Sequence, residues 1–203
     1  MARKIGGESP TNGSKEAIEI IMPYIVNVKI TGSADYLYHR WNCESVDEKN
    51  ASRKGSKIRK TDNLENFVYR NEEGFLCIPS EQFRMSIISA AKFKQDPRSP
   101  RKSASDLYKA GILVLNDASV GLKEWDYEDK RRAVIQRNAI NRVRPALKIG
   151  WSCEFMVQVN LAEYINPIDL NETIQAAGRF NGVGDFRPTF GRFIVTGFEA
   201  KAF

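Results

Sequence analysis

Trp151-Ser-Cys-Glu-Phe-Met-Val-Gln-Val159 alternates apolar and polar residues almost without a break, and the reading of the whole chain starts there. Trp151, Cys153, Phe155, Val157 and Val159 share one side of a pleated strand; Ser152, Glu154, Met156 and Gln158 share the other. A strand with one apolar face needs a second layer to cover it, and that layer follows in the sequence. Asn166-Pro167-Ile168-Asp169 has the marks of a helix start, with Asn166 as N-cap, Pro167 in the first position and Asp169 three residues past the cap. Leu170, Ile174 and Ala177 give this helix a buried side, and Gly178 is expected to end it. A last strand is expected over Arg192 to Phe198.

The N-terminal half repeats the pattern. Tyr24 to Thr31 reads as a strand, with Val26, Val28 and Ile30 on one face and Asn27 and Lys29 on the other. After a short apolar run from Gly74 to Ile78, Pro79 and Ser80 predict a second helix. Ser80 is its expected N-cap, and Phe83, Ile87, Ile88 and Ala91 form its stripe. Leu107 to Leu115 reads as a short helix followed by a strand from Gly111 to Leu115. Strand, helix, strand, strand, helix, strand is the βαββαβ order of ferredoxin-like folds, shared with RRM modules. The expected class is therefore α+β: an antiparallel sheet covered on one face by two helices.

The 203 residues divide into a flexible arm at 1–22 and a single domain at 23–203, with insertions at about 41–73 and 116–148. The first insertion is long and basic, carrying Lys49, Arg53, Lys54, Lys57, Arg59 and Lys60. In the second, Arg131, Arg132, Arg137, Arg142 and Arg144 alternate loosely with Val134, Ile135, Ile140 and Val143. A β-hairpin with its turn near Asn138 to Asn141 fits this stretch best; a helix over Tyr127 to Asn141 competes.

Between the second helix and the last strand lies Gly178-Arg-Phe-Asn-Gly-Val-Gly-Asp-Phe-Arg-Pro-Thr-Phe-Gly191-Arg-Phe193. Gly182 and Gly184 mimic the start of a dinucleotide fingerprint, but Arg187 stands where the third glycine belongs. The helix also precedes the loop rather than following it, so pyrophosphate would meet no helix N-terminus. Glycines that permit close approach, arginines that fork around phosphate and aromatic faces suit a nucleic-acid strand better. The alternative is a plain connector.

Net charge is +6 and the isoelectric point about 9.2, a mild bias toward polyanions. Cys43, Cys77 and Cys153 lie far apart without a C-x-x-C pair, so no metal or disulfide framework is expected, and no cofactor. Cys77 and Cys153 read as core. Neither an apolar leader nor a bilayer-length run stands out, which leads to an expected cytoplasmic location and no membrane partner.

Three patches together resemble the RAMP superfamily, which supplies backbone subunits of CRISPR effector complexes. They are Val28-Lys-Ile-Thr-Gly-Ser-Ala-Asp-Tyr-Leu-Tyr-His39-Arg40, Ile78-Pro-Ser-Glu-Gln-Phe-Arg84 and Gly182-Val-Gly-Asp-Phe-Arg-Pro-Thr-Phe-Gly-Arg-Phe193. They cover about a quarter of the chain, and Ser80 stands where such proteins often carry glycine after the proline. A free-standing, phage-encoded relative fits equally well. The resemblance implies a non-catalytic subunit binding single-stranded nucleic acid, RNA in preference to DNA, and assembling with itself or with other subunits. Arg84, Lys92, Arg187 and Arg192 would hold phosphates, with donors added by the amides from Gly182 and Gly184 to Asp185. Trp41 and Phe186, with Tyr38 or Phe190, would stack on bases; Arg40, Lys54 and Lys57 would add charge. The alternatives are a RAMP-type endoribonuclease using His39, the only histidine, and a phage DNA recombination or annealing accessory protein.

Overall fold

The computed structural model describes residues 22–40, 63–135 and 138–202. Among them lie strands β1 (Tyr24–Gly32), β2 (Tyr36–Leu37), β3 (Tyr69–Arg70), β4 (Leu76–Ile78), β5 (Gln95–Asp96), β6 (Ser99–Ser103), β7 (Ile112–Val114), β8 (Ala118–Ser119), β9 (Tyr127–Ile135), β10 (Asn138–Leu147), β11 (Ser152–Val159) and β12 (Phe193–Ala202). The helices are α1 (Ser80–Ala90), α2 (Ser105–Gly111) and α3 (Pro167–Phe180). The class is α+β. Trp41, Lys54 and Lys57 lie outside the described residues, as do Cys43 and most of the expected arm.

The alternating strands pair as their patterns require. The main sheet runs β12-β1-β11-β7, every neighbour antiparallel. Val26 lies opposite Val157 and Val28 opposite Phe155, so the apolar faces of β1 and β11 coincide. A one-residue slip would turn both faces inside out, which is why the register is firmly set. Helices α1 and α3 pack on this face and on each other. Phe83 of α1 stacks on Phe155, with ring centroids 4.2 Å apart. Buried side chains of this size stabilise the fold by roughly 1.5–3 kcal/mol each. Cys77 and Cys153 are buried, as expected.

The two main helices begin by different means. Asn166 accepts the Asp169 amide at 2.9 Å, while its own side-chain amide reaches the Asp169 carboxylate at 2.7 Å. This local reciprocal cap matches the expectation. Helix α1 departs from it: Pro79, not Ser80, is the N-cap and offers no side-chain acceptor. The Ser80 amide instead donates to Asp117, 37 residues along the chain, at 2.8 Å. Gly178 also departs, since α3 runs past it to Phe180. A Cβ on Gly178 would sit 2.2 Å from the carbonyl oxygen of Phe193. The glycine is there for close packing of helix on strand, not for termination.

Strands β9 and β10 form the expected hairpin, paired from Tyr127–Ala146 to Ile135–Asn138. The competing helix is excluded, and Asn138 to Asn141 belong to β10 rather than to a turn. Asp35, just after β1, ties the hairpin to the core. Its carboxylate accepts from the Tyr127 hydroxyl at 2.6 Å and from the Ile149 amide at 2.7 Å.

Candidate nucleic-acid interface

Gly182, Gly184 and Gly191 adopt φ of +68°, +83° and +70°. None of the three has room for a side chain. A Cβ on Gly191 would fall 1.6 Å from the Val183 carbonyl oxygen, and one on Gly184 would fall 2.6 Å from the Tyr36 ring. Close approach is thus real in this loop, but it is to the protein's own backbone and rings. Phe186 also has positive φ, at 53°, a conformation costly for a bulky side chain.

The loop amides show what the glycines achieve. Gly182 donates to Ala177, Val183 to Gly191 and Asp185 to Leu37, all to carbonyl oxygens, at 2.9, 2.9 and 3.1 Å. Gly184 donates to the Gln82 side chain at 3.0 Å. The expectation that amides from Gly182 to Asp185 would receive a ligand is therefore corrected: all four are already satisfied internally. They make the loop a rigid ledge, and any anion must be met by its side chains.

Beneath the ledge, Asp185 is gripped by Arg144, which is 2% exposed, through a charge-assisted hydrogen bond from Nε to Oδ2. His39 Nδ1 lies 3.8 Å from the same carboxylate oxygen. Burial pushes the Asp185 carboxyl up, but the Arg144 hydrogen bond and charge outweigh it and hold the group below the usual range. Burial, then the neighbouring Arg144 charge, push His39 below its ordinary value against the pull of Asp185. His39 is half-buried and disfavours a proton.

The hairpin closes over the loop's aromatics. Arg131 lies 4.3 Å from the Phe190 ring centroid and 5.0 Å from that of Phe186, and is itself held by Asp129 at 2.6 Å. Arg144 lies 5.8 Å from Phe186. The Phe186 ring is thus engaged by two guanidiniums of the protein itself. Tyr38 is fully buried, which corrects its expected role as a stacking residue.

The basic residues expected to meet phosphate divide. Arg187 and Arg192 are exposed; Arg192 steadies itself on the Pro188 carbonyl at 2.8 Å. Lys92 and Arg40 are exposed as well, Arg40 lying 5.7 Å from the Tyr69 ring centroid. Arg84 is differently employed. It donates to the Lys109 carbonyl at 2.7 Å and the Ile112 carbonyl at 3.3 Å, tying α1 to the end of α2. A cleft of about 410 Å³ separates α1 from the loop, lined by Ser89, Phe180, Asn181, Gly184, Phe186 and Arg187 among others. Sequence reading did not single out Phe180, nor the Arg144–Asp185 pair, whose partners are 41 residues apart.

The open face of the main sheet is different in kind. Ile25, Asn27, Lys29 and Thr31 of β1, and Ser152, Glu154, Met156 and Gln158 of β11, supply no aromatic ring, and Lys29 pairs with Glu154 at 3.6 Å. Among the described residues no helix is long and apolar enough to cross a membrane.

No family model matches the chain, and no curated protein matches it. Among solved structures, a chain of the cryo-EM structure of the Type III-B Cmr-beta bound to cognate target RNA is similar in fold, with a TM-score of 0.56 and 12% identity. The match covers 93% of this chain and 64% of that one, so this chain spans slightly under two thirds of its length.

Proposed function

We propose that this protein is a RAMP-like, non-catalytic subunit with a ferredoxin-like core at 23–203. It binds single-stranded nucleic acid, RNA in preference to DNA, and multimerises along it. The strand order β12-β1-β11-β7 with two helices on one face supports the ferredoxin-like reading, and so does the fold shared with a chain from an RNA-bound Cmr-beta complex. One observation carries the functional reading. A loop whose amides from Gly182 to Asp185 are all used carries exposed Arg187 and Arg192, and Arg187 lines a cleft. Guanidiniums on a rigid ledge meet phosphates with little ordering cost. Exposed Lys92 and Arg40 add positive charge, with Lys54 and Lys57 assigned the same role from sequence and Trp41 assigned to base stacking. Binding is largely indifferent to base sequence and weakens steeply with salt. The test is to purify the protein without nuclease and titrate labelled single-stranded RNA and DNA at rising salt. The reading expects copurifying, RNase-sensitive material and tighter binding of RNA. Nucleic-acid-free protein that ignores both strands at low salt would end it.

A second reading has one specific observation behind it. His39, kept short of protons, stands 3.8 Å from Asp185 and next to the buried Arg144. A neutral imidazole can take a proton from a ribose 2′-hydroxyl, and an adjacent guanidinium can steady the charge that develops. RNA cleavage that disappears in His39→Ala would favour an endoribonuclease.

A further inference from the structure

Two large apolar rings stand in solvent beside the cleft, and nothing in the core accounts for them. Phe93 is 74% exposed and Phe180 is 51% exposed. They meet edge to face, centroids 5.7 Å apart. Each belongs to a fixed element. Phe93 ends the 3-10 turn Ala91–Phe93 that continues α1, and Lys94 just after it is clamped to α3 through the Asp169 carbonyl and the Glu172 carboxylate, both at 3.0 Å. Phe180 is the last residue of α3, and the next residue, Asn181, donates to the Ser86 carbonyl of α1 at 3.0 Å. The rings therefore form a platform held from both sides.

Cations flank both rings and the cleft beside them. Arg179 lies 5.4 Å from the Phe180 centroid, exposed Lys92 adjoins Phe93, and Arg187 lines the same cleft as Phe180. The carboxylate in the cleft lining, Asp185, is paired with Arg144, and Glu172 shares Lys94 with Asp169. Flat apolar faces flanked by Arg179, Lys92 and Arg187, with the one carboxylate of the cleft lining already paired, suit a ligand that is both aromatic and anionic. We infer that Phe93 and Phe180 are a nucleobase-stacking platform, which receives a base of the strand whose phosphates Arg187 and Lys92 hold. This inference rests on the proposed function and names where bases, rather than phosphates, are met.

The test compares an oligouridine with an abasic ribose-phosphate strand of the same length, on the wild type, Phe93→Ala/Phe180→Ala and Phe93→Leu/Phe180→Leu. Because both rings are exposed, neither variant should change folding, and leucine keeps the apolar character while removing the π face. The inference expects both variants to bind oligouridine about ten-fold more weakly, with an unchanged salt slope and no change for the abasic strand. Equal weakening on both strands, full affinity in the leucine variant, or a change only in self-association by sedimentation would overturn it. A wild type that binds neither strand would instead bring down the proposed function, and the platform with it.

Discussion

The glycine loop and the open face of the main sheet are built differently. The loop carries strain at Phe186, fills every amide from Gly182 to Asp185 from within and points two arginines outward. The sheet face pairs β1 with β11 in unbroken register, and its Lys29 meets Glu154 at 3.6 Å. An RRM module reads bases with aromatics on its sheet, whereas here the outward positions of β1 and β11 have none. The difference teaches that a βαββαβ order does not settle where a ligand goes. On the proposed reading, that is decided by where rigid backbone and exposed cations coincide.

The largest effect that would break this contrast is expected from Gly191→Ala. The new Cβ would collide with the Val183 carbonyl in a backbone conformation that already favours glycine. Stability should fall by at least about 3 kcal/mol in a denaturant titration; a wild-type midpoint would mean the loop is not the tight frame described. Arg144→Met comes next. It leaves Asp185 without its partner, at an expected cost of about 2–3 kcal/mol, less than for a fully buried pair because Asp185 keeps some contact with water. Restoration of stability in Arg144→Met/Asp185→Asn would identify the unpaired carboxylate as the cause.

A smaller effect concerns pH. His39 has a lowered folded value, so the unfolded chain holds more protons through that window. Its contribution is intact above roughly pH 6.5, the unfolded value, and declines as pH falls through and below it. His39→Asn should flatten the fall in stability as pH drops below about 6.5. Asp185, lowered by Arg144, gives a second loss only below about pH 4. An unchanged pH profile in His39→Asn would contradict the first assignment. The smallest effect is expected on the sheet: Lys29→Ala/Glu154→Ala should shift stability by less than about 0.5 kcal/mol and leave strand binding alone. Weakened binding there would move the interface to the sheet.

What was legible in the sequence was local. Alternation over Trp151 to Val159 and Tyr24 to Thr31 yields two central strands, and the Asn166–Asp169 cap is written within four residues. What was missed depended on distant partners. Asp117 caps α1 from 37 residues away, and Asp185 has Arg187 close by in sequence but Arg144 in space. Gly178 was misread because one letter serves both termination and close packing, and only the nearby Phe193 carbonyl distinguishes them. The loop's richness in glycine and arginine drew attention to a stretch that folds as a tightly bonded ledge. It did not reveal that the amides serve the protein while Arg187 and Arg192 face outward.

The most direct measurement is the affinity of Arg187→Glu/Arg192→Glu for a single-stranded oligonucleotide across a salt series, alongside its unfolding midpoint. Both side chains are exposed, so the midpoint should stay within about 0.5 kcal/mol of wild type. Affinity should collapse at low salt, and the slope of log affinity against log salt should shrink by at least about 1.4, two phosphate contacts' worth. A folded double variant that keeps its grip and its slope would contradict the account.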